Sequence, residues 1–305
     1  MVKRMRKKLK LQSRALKSDR IFTVCNYIFM VLITLAFLIP FWTVFASSFV
    51  SEAEAARRGS FILMPEKFDF GAYKILLASG SYVWSAYGNT LFLVTVGTAV
   101  NLIMTITMAY PLSKKGLPGN SIVTFLVFLT MIFNGGLIPT FLLNKSLGLV
   151  DSIWSLILPN AISAWNMLIV RNFFAAFPSE LEEAASIDGA GPLKTLILIV
   201  LPLSLPVITT IGLFYAVGHW NAWFNAAIYI NTKAKLPVQN ILRDMIASSS
   251  ISDVSAEAMS SADSKPTAET MKSAMIVITT LPIICVYPFI QKYFVKGVLV
   301  GSVKG

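Results

Sequence analysis

The chain has 305 residues, of which 55% are apolar and only 13% are charged, and its formal net charge is +11 at pH 7. This composition excludes an ordinary soluble domain and places the chain among membrane proteins. The positive charge does not require a nucleic-acid partner, because nine of the 26 basic residues lie in the first twenty positions.

Residues 1–20 are the first predicted element, a basic segment directly before an apolar stretch. Beside a membrane span, such a segment is expected to remain in the cytoplasm and to contact anionic lipid rather than nucleic acid. A cleaved signal peptide is the alternative, with a candidate cleavage site at Phe45–Ser47. The apolar run before that site is longer than a signal peptide needs, which favours a membrane span.

Uncharged apolar stretches then recur six times, each long enough for the roughly 20 residues that a helix needs to cross a bilayer. They predict an all-α, polytopic membrane protein whose permease domain covers residues 21–291. The predicted transmembrane helices lie near residues 22–46, 88–112, 120–143, 152–172, 200–226 and 272–291. Prolines in or beside the spans predict kinks.

The distribution of basic residues predicts the orientation of these spans. With the N-terminus inside, the connectors 113–119 and 173–199 and the tail 292–305 are cytoplasmic, and Lys114 and Lys115 agree with that assignment. The connectors 47–87, 144–151 and 227–271 then face outward. Within the last of them, the Ser/Ala-rich stretch 247–272 predicts a solvated and partly flexible linker.

The spans give little support to an enzyme or to an ion-coupled carrier. Their middles hold no Asp, Glu, Lys or Arg, and His219 is the one titratable candidate there for proton coupling. Cys25 and Cys285 lie in separate predicted spans, which argues against a disulfide or a metal site. The sequence also shows no catalytic arrangement and no Gly-rich loop ending in Gly-Lys-Ser/Thr, so we predict no catalytic residue, no metal ligand and no nucleotide site in this chain.

Amides and aromatic residues inside the spans leave two interpretations open. Asn101 and Asn160 belong to this group, and the default role of such amides is hydrogen bonding between helices. The corresponding role of His219 is packing with a hydrogen bond, and that of the residues from Trp220 to Asn225 is packing or anchoring at the membrane interface. The other role is to line a path for a polyhydroxylated solute, with Trp faces meeting sugar rings. The candidates for that path are Asn89, Asn134, Asn166, His219, Trp220, Asn221, Trp223 and Asn225.

The connector after the fourth span contains the sequence EAASIDGAG. Ser179 and Glu182 have the spacing of a capping box, and Glu180, Glu182 and Glu183 are expected in the first turn of a helix. That helix is predicted to stop at Asp188-Gly189, and a second is predicted to begin at Pro192. The small side chains between them permit a close approach of another surface, so the connector is either a surface turn or a docking site.

The spacing of Glu183-Ala184-Ala185, Gly189, Ile199 and Leu201-Pro202 resembles the EAA loop of ATP-binding-cassette importer permeases. The resemblance covers most of the chain and extends to the carbohydrate-uptake permeases of the maltose-permease kind. The tail QKYFVKGVLVGSVKG is similar to the branch that includes the Lpl and Ytc sugar permeases of Firmicutes. The implied fold is that of a type I importer permease.

The resemblance implies a multi-pass protein of the bacterial plasma membrane with both termini in the cytoplasm. It would pair with a second permease as a heterodimer and receive an oligosaccharide from an extracellular solute-binding lipoprotein. Two ATPase subunits would carry ATP and Mg and would contact coupling helices at about 179–199. The residues implied in that coupling are Glu180, Glu182, Glu183, Ala184, Ala185, Asp188, Gly189, Ala190 and Gly191.

Other functions remain open at the level of sequence. A permease for a non-sugar solute, a channel or ion-coupled carrier acting alone, and a polytopic scaffold are the alternatives. The absence of charged residues from the span middles favours neutral sugars over charged amino acids.

Overall fold

The computed structural model describes residues 2–59, 61–114, 116–247 and 267–302. Within these ranges no residue lies in a β-strand, in agreement with the all-α prediction. The chain divides into two compact units, one made of residues 1–74 and 261–277 and the other of residues 75–260 and 278–305.

The helices have the following bounds. The first seven are α1 (Val2–Ser47), α2 (Glu52–Arg58), α3 (Gly71–Leu76), α4 (Tyr82–Phe92), α5 (Thr98–Leu112), α6 (Asn120–Ile132) and α7 (Leu137–Ser146). They are followed by α8 (Ala164–Ala175), α9 (Ser179–Ile187), α10 (Pro192–Thr195), α11 (Leu201–Leu203), α12 (Leu205–Trp220), α13 (Phe224–Tyr229), α14 (Val238–Ala247) and α15 (Ala268–Ser302). Short π-helices cover Leu93–Gly97 and Leu196–Val200, and 3-10 helices cover Ile153–Leu156, Leu158–Asn160 and Lys233–Lys235.

All six predicted spans have counterparts in the structure. Three helices are long and apolar enough to cross a membrane, namely Asp19–Ser47, Tyr82–Leu112 and Ala268–Pro288. Three further segments meet the same requirement only as bent pairs of helices, namely Asn120–Ile132 with Leu137–Ser146, Ile153–Asn160 with Ala164–Ala175, and Pro192–Leu203 with Leu205–Trp220. Counting each pair as one span gives six.

The predicted third helix, 120–143, is wrong as a continuous element, because α6 and α7 meet at an angle of 115°. Asn134-Gly135-Gly136 lies at the bend, where glycine disfavours helix. The Asn134 side chain accepts a hydrogen bond from the Gly136 N–H at 2.9 Å, and Gly136 has a φ of +89°. A local turn therefore replaces the helical hydrogen bonds.

The fourth and fifth spans are also broken. The predicted helix 152–172 starts as two 3-10 turns and becomes α-helical at Ala164, where the Ser163 hydroxyl accepts from the Asn166 N–H at 3.4 Å. The predicted helix 200–226 bends by 84° at Ser204, and α13 follows as a separate helix. Pro206 causes the bend at Ser204, because it has no N–H to donate and its ring clashes with the carbonyl four residues earlier.

The ends of the chain differ from the predicted segmentation. α1 runs without a break from Val2 through Pro40, so the basic segment and the first span are one helix. The predicted outer loop 47–87 contains α2 and α3. α15 extends the last predicted span in both directions and includes most of the predicted tail. The Ser/Ala-rich residues 248–266, Lys115 and Lys304 lie outside the described residues.

The second unit has one main apolar core where α5, α6, α8 and α12 meet. Met167, Val170, Val200 and Ile211 are fully buried there. Leu93, Leu156 and Tyr229 are buried in a second cluster toward the other end of the spans. The first core includes Leu196, next to α10, and the second includes Ile230, next to α13, so each core reaches the end of a connector.

Candidate coupling site and solute path

The connector after α8 forms two helices joined by a tight turn, as predicted, but its start differs. α9 begins at Ser179 and Pro178 occupies the cap position, so no side chain caps the helix and the predicted capping box is wrong. Ser179 already has a helical position and cannot act as the cap. Glu180 and Glu182 lie in the first turn, where carboxylates favour the positive end of the helix dipole, and Glu183 lies just beyond it.

The end of α9 is a Schellman motif built on Gly189. Gly189 has a φ of +76°, its N–H donates to the Ser186 carbonyl at 3.1 Å, and the Ala190 N–H donates to the Ala185 carbonyl at 2.9 Å. Only glycine adopts this left-handed conformation without a penalty. The predicted stop at Asp188-Gly189 is therefore confirmed.

The second helix begins at Pro192, also as predicted, and leads directly into the fifth span. The Thr195 N–H donates to the Gly191 carbonyl at 3.0 Å, which closes the first turn of α10. Of the coupling residues predicted in the connector, Ala185 alone is buried, at 5% exposure. Ala185 therefore packs against the rest of the unit, Glu182 and Ala190 are partly buried, and the other predicted coupling residues are exposed.

Two connectors that the sequence assigns to the cytoplasm meet at this end of the unit. Lys114, from the connector after α5, forms an ion pair with Glu182 and lies 4.3 Å from the centre of the Tyr110 ring. The Arg171 Nε donates to the Leu112 carbonyl at 3.0 Å. These contacts tie the coupling helix α9 to the ends of the second and fourth spans.

The displayed surface of the connector combines apolar and acidic side chains. Ile187 is 86% exposed and Leu193 is 68% exposed, although both are large aliphatic residues. Glu180 and Glu183 are exposed as well, and neither forms an ion pair with any residue that the structure describes. This surface therefore offers apolar side chains, and carboxylates that have no ion-pair partner among the described residues, to a partner protein.

Two connectors predicted to face outward meet around Asp151. Its carboxylate accepts from the Asn231 and Thr232 N–H groups at 3.0 and 2.9 Å, and from the Lys235 Nζ at 2.8 Å. The hydrogen bond from Lys235, followed by those from Thr232, holds the pKa of Asp151 well below its usual range. Asp151 has a φ of +58°, a backbone conformation that residues other than glycine rarely adopt, and these hydrogen bonds stabilise it.

Three of the predicted path residues hold local structure. Asn89 donates to the carbonyls of Ala234 and Leu236 at 2.8 and 3.2 Å, which fixes the connector after α13. Asn134 stabilises the bend of the third span. Asn221 donates to the Val217 carbonyl at 3.0 Å at the end of α12.

His219 belongs to a polar cluster between three spans. It lies 2.6 Å from the Asn101 Oδ1, and the Asn101 amide donates to the Asn160 and Ala161 carbonyls at 2.7 and 2.9 Å. The packing interpretation of His219 and the interhelical interpretation of Asn101 are both consistent with these contacts.

A second polar contact lies next to this cluster and had no sequence signal. The Tyr215 hydroxyl lies 2.7 Å from the Thr105 hydroxyl and accepts from the Ser163 N–H at 3.0 Å. Thr105 and Tyr215 are each four residues from a member of the first cluster. Both clusters therefore bind the non-helical segment that breaks the fourth span.

The aromatic candidates lie in two different settings. Trp220 is 8% exposed and packs edge-on against Tyr87, and its Nε1 has no hydrogen-bond partner among the described residues. Trp223 is 38% exposed, and the Arg243 guanidinium lies 4.3 Å from the centre of its ring. Two predicted amides lie elsewhere. Asn225, two residues after Trp223, is partly buried, and Asn166 is buried in the first turn of α8.

Comparison with known proteins gives one consistent result. Residues 95–300 match the family model described as the binding-protein-dependent transport system inner membrane component. Protein LplC of Bacillus subtilis is 47% identical over 95% of this chain and 97% of its own length. The polygalacturonan/rhamnogalacturonan transport system permease protein YtcP of the same organism is 45% identical over 94% of this chain and 99% of its own.

A solved structure shares the fold. It is the crystal structure of a bacterial ABC transporter involved in the import of the acidic polysaccharide alginate. One of its chains superposes with a TM-score of 0.84 and is 35% identical, and the match covers 91% of this chain and 98% of that chain.

Proposed function

Since the chain belongs to the family of binding-protein-dependent transport system inner membrane components, we propose that it forms half of the path of a sugar importer driven through α9. In this function the chain moves no solute by itself. ATP is hydrolysed, with Mg, on two separate ATPase subunits, and the permease converts their motion into opening and closing of the path. The chain contributes no catalytic residue.

The observation that supports this proposal most directly is the shape of the connector. α9 ends in a Schellman turn at Gly189 and continues within three residues into α10. Force applied to α9 therefore reaches the fifth span through a short, defined turn instead of a flexible loop. A rigid connection of this kind allows the spans to switch between two packing arrangements, which is a common form of conformational change.

The exposed surface of the connector suits an ATPase partner. Ile187 and Leu193 offer apolar contact area, and Glu183 offers a carboxylate that no described residue neutralises. We expect Glu183 to pair with a basic residue of the ATPase. Ala184 and Gly189 have little side-chain bulk, so the partner can approach the backbone closely.

The remaining partners follow from the type of importer. A second, similar permease completes the path, and an extracellular solute-binding lipoprotein delivers the oligosaccharide to the outward connectors. The protein then lies in the bacterial plasma membrane with both termini in the cytoplasm. The residues proposed for the path stay those predicted from the sequence, with the exposed Trp223 as the best placed aromatic face.

The substrate we propose is an oligosaccharide that carries carboxylate groups. The permease YtcP is named for polygalacturonan and rhamnogalacturonan, and the structural relative is named for alginate, an acidic polysaccharide. In this chain the Arg243 guanidinium beside Trp223 combines a positive charge with an aromatic face. The proposal departs from the neutral sugars favoured by the uncharged spans, because the charge lies beyond the end of the fifth span.

Gly189→Val tests the proposed function. A β-branched residue at a φ of +76° is expected to break the Schellman turn, since even ordinary side chains lose about 1–2 kcal/mol in this conformation. Uptake of a labelled acidic oligosaccharide should fall to background while the amount of protein in the membrane is unchanged. Normal uptake by this variant would contradict the proposal.

Two further substitutions control for unspecific damage. Gly88→Ala should retain uptake, because Gly88 lies in α4 outside the connector and a Cβ there meets no atom within 4 Å. Gly189→Asn should retain much of it, because asparagine tolerates the left-handed conformation. Co-purification of the ATPase subunits with each variant separates loss of docking from loss of force transmission.

A further inference from the structure

A groove of about 980 Å³ lies beside the coupling end of the second unit, between the first half of α6 and the second half of α8. One side of α6 and one side of α8 form its walls. Its lining residues are Ser113, Leu117, Gly119, Asn120, Ser121, Ile122, Thr124, Phe125, Phe128, Leu168, Arg171 and Ala175. Neither the coupling connector nor the predicted path residues contribute to it.

The groove is polar at one end and apolar along its length. Ser121, Phe125 and Phe128 follow one face of α6, so the groove extends for about 10 Å along the span, at a rise of about 1.5 Å per residue. Phe125 is 59% exposed and Phe128 is 47% exposed. Such side chains, on a helix that forms part of a membrane span, face lipid unless another chain covers them.

Arg171 gives the polar end its charge. Its Nε donates to the Leu112 carbonyl at 3.0 Å and its Nη1 donates to the Asn172 side chain at 3.1 Å, so the guanidinium is held in place. Its Nη2 has no protein partner among the described residues. The groove lining contains no Asp or Glu, and therefore Arg171 is not neutralised there.

From this arrangement we propose that the groove binds an anionic phospholipid of the leaflet on the coupling side. Arg171 and Ser121 bind the phosphate, and an acyl chain lies along Phe125, Phe128 and Leu168. The charge complementarity selects the occupant, because basic pockets between transmembrane helices favour anionic headgroups, and a zwitterionic lipid gains less from Arg171. The first turn of α6 adds backbone N–H groups at the same end.

The position of the site gives the lipid a role. Arg171 lies on α8, which leads into α9, and its bond to the Leu112 carbonyl connects the groove to the end of α5. A lipid bound between α6 and α8 therefore holds the base of the coupling helix. This inference needs the membrane location of the chain but does not depend on the proposed substrate.

Photo-crosslinking of lipids tests the site in the intact transporter. The complete complex is reconstituted into vesicles that contain a trace of phosphatidylglycerol or phosphatidylcholine with a photoreactive acyl chain, and adducts are mapped by mass spectrometry. We expect adducts on 121–128 and 165–171 with the phosphatidylglycerol probe, at about tenfold higher yield than with the phosphatidylcholine probe. Equal yields from the two probes would overturn the proposal.

Three variants locate the selectivity. Arg171→Gln should reduce the phosphatidylglycerol adducts to the level of phosphatidylcholine, and Lys194→Gln, which removes an exposed positive charge outside the groove, should not. Ser121→Glu places a carboxylate in the groove and leaves Arg171 and its bonds intact, so it should lower the yield even if Arg171→Gln folds poorly. The proposal is wrong if both groove variants keep the wild-type yield, or if the second permease covers Phe125 and neither probe reacts there.

Discussion

At the scale of single residues, the polar cluster between the spans depends on the absence of a side chain at Gly97. A Cβ at this position would lie 2.6 Å from the Nε2 of His219 and 2.8 Å from its Cε1. Gly97 ends the π-helix Leu93–Gly97, and π-helical turns often occur at functional positions. The widened turn and the missing side chain together make room for the imidazole beside Asn101.

Gly97→Ala is therefore expected to destabilise the protein, although alanine normally strengthens a helix by up to about 1 kcal/mol relative to glycine. His219 must move and its contact with Asn101 is lost, which we expect to cost about 1–3 kcal/mol, as overpacking does elsewhere. The measurement is the Tm of the purified transporter. Gly88→Ala is the matched control, because its Cβ meets no atom within 4 Å, and its Tm should be unchanged or slightly higher.

A double variant shows whether the steric contact is the cause. If Gly97→Ala acts through His219, the same change in a His219→Ala background should cost much less, because the clashing ring is gone. Additive effects of the two substitutions would contradict this explanation. The contact joins α12, in the fifth span, to the second span, and the sequence does not reveal it, since the bonded pair Asn101 and His219 is separated by 118 positions.

At the scale of elements, the sequence predicts the end or break of a helix when the residues at that point cause it by their own conformational preferences. Gly189 and Pro192 fix the coupling turn through conformations that those residues favour on their own. The Gly135-Gly136 pair and Pro206 also carry local signals, but the size and direction of a bend depend on the helices packed around it. The capping box failed for a local reason, because Pro178 displaced the start of the helix by one residue.

The connection between the connectors around Asp151 gives a pH-dependent prediction. Because the pKa of Asp151 is lower in the folded protein than in the unfolded chain, its contribution to stability is complete at neutral pH. It is lost as the pH falls below the unfolded value of about 3.9 and through the folded value. Asp151→Asn should lower the Tm at pH 7, and the decrease in Tm between pH 7 and pH 3 should be smaller than in the wild type.

Asparagine is the informative substitution here because it tolerates the φ of +58° and keeps one acceptor for the Asn231 and Thr232 N–H groups. The variant thus removes the charge with little change to the backbone. An identical pH dependence of Tm in the variant and the wild type would show that Asp151 does not contribute in this way.

At the scale of the whole molecule, the count and approximate position of the spans followed from composition, because a bilayer imposes length and apolarity on every segment that crosses it. The contacts between connectors did not follow from it. Lys114 pairs with Glu182 at one end, whereas Asp151 pairs with Lys235 at the other, and each pair joins connectors that the charge rule assigns to the same side. These contacts agree with the predicted division of the connectors between two sides of the membrane. They do not show which of the two sides is cytoplasmic.

Cysteine labelling determines which connectors face the cytoplasm. In a background with Cys25→Ser and Cys285→Ser, a membrane-impermeant maleimide should label Ala234→Cys in intact cells. Gly116→Cys lies in the connector 113–119, which is predicted to be cytoplasmic, so it should react only after the membrane is permeabilised. Both positions are exposed in the folded chain. The reverse pattern would invert the orientation and place α9 where a cytoplasmic ATPase cannot reach it.

The break at Ser204 has a mechanical consequence for the whole permease. α10, the π-helix Leu196–Val200 and α11 form one arm, α12 forms the other, and the two meet at 84°. A bent lever of this shape turns a thrust along its short arm into a sideways swing of its long arm. Under the proposed coupling through α9, a displacement of the arm formed by α10 and α11 would swing α12 sideways and separate it from its neighbouring helices, which would open a passage for the solute.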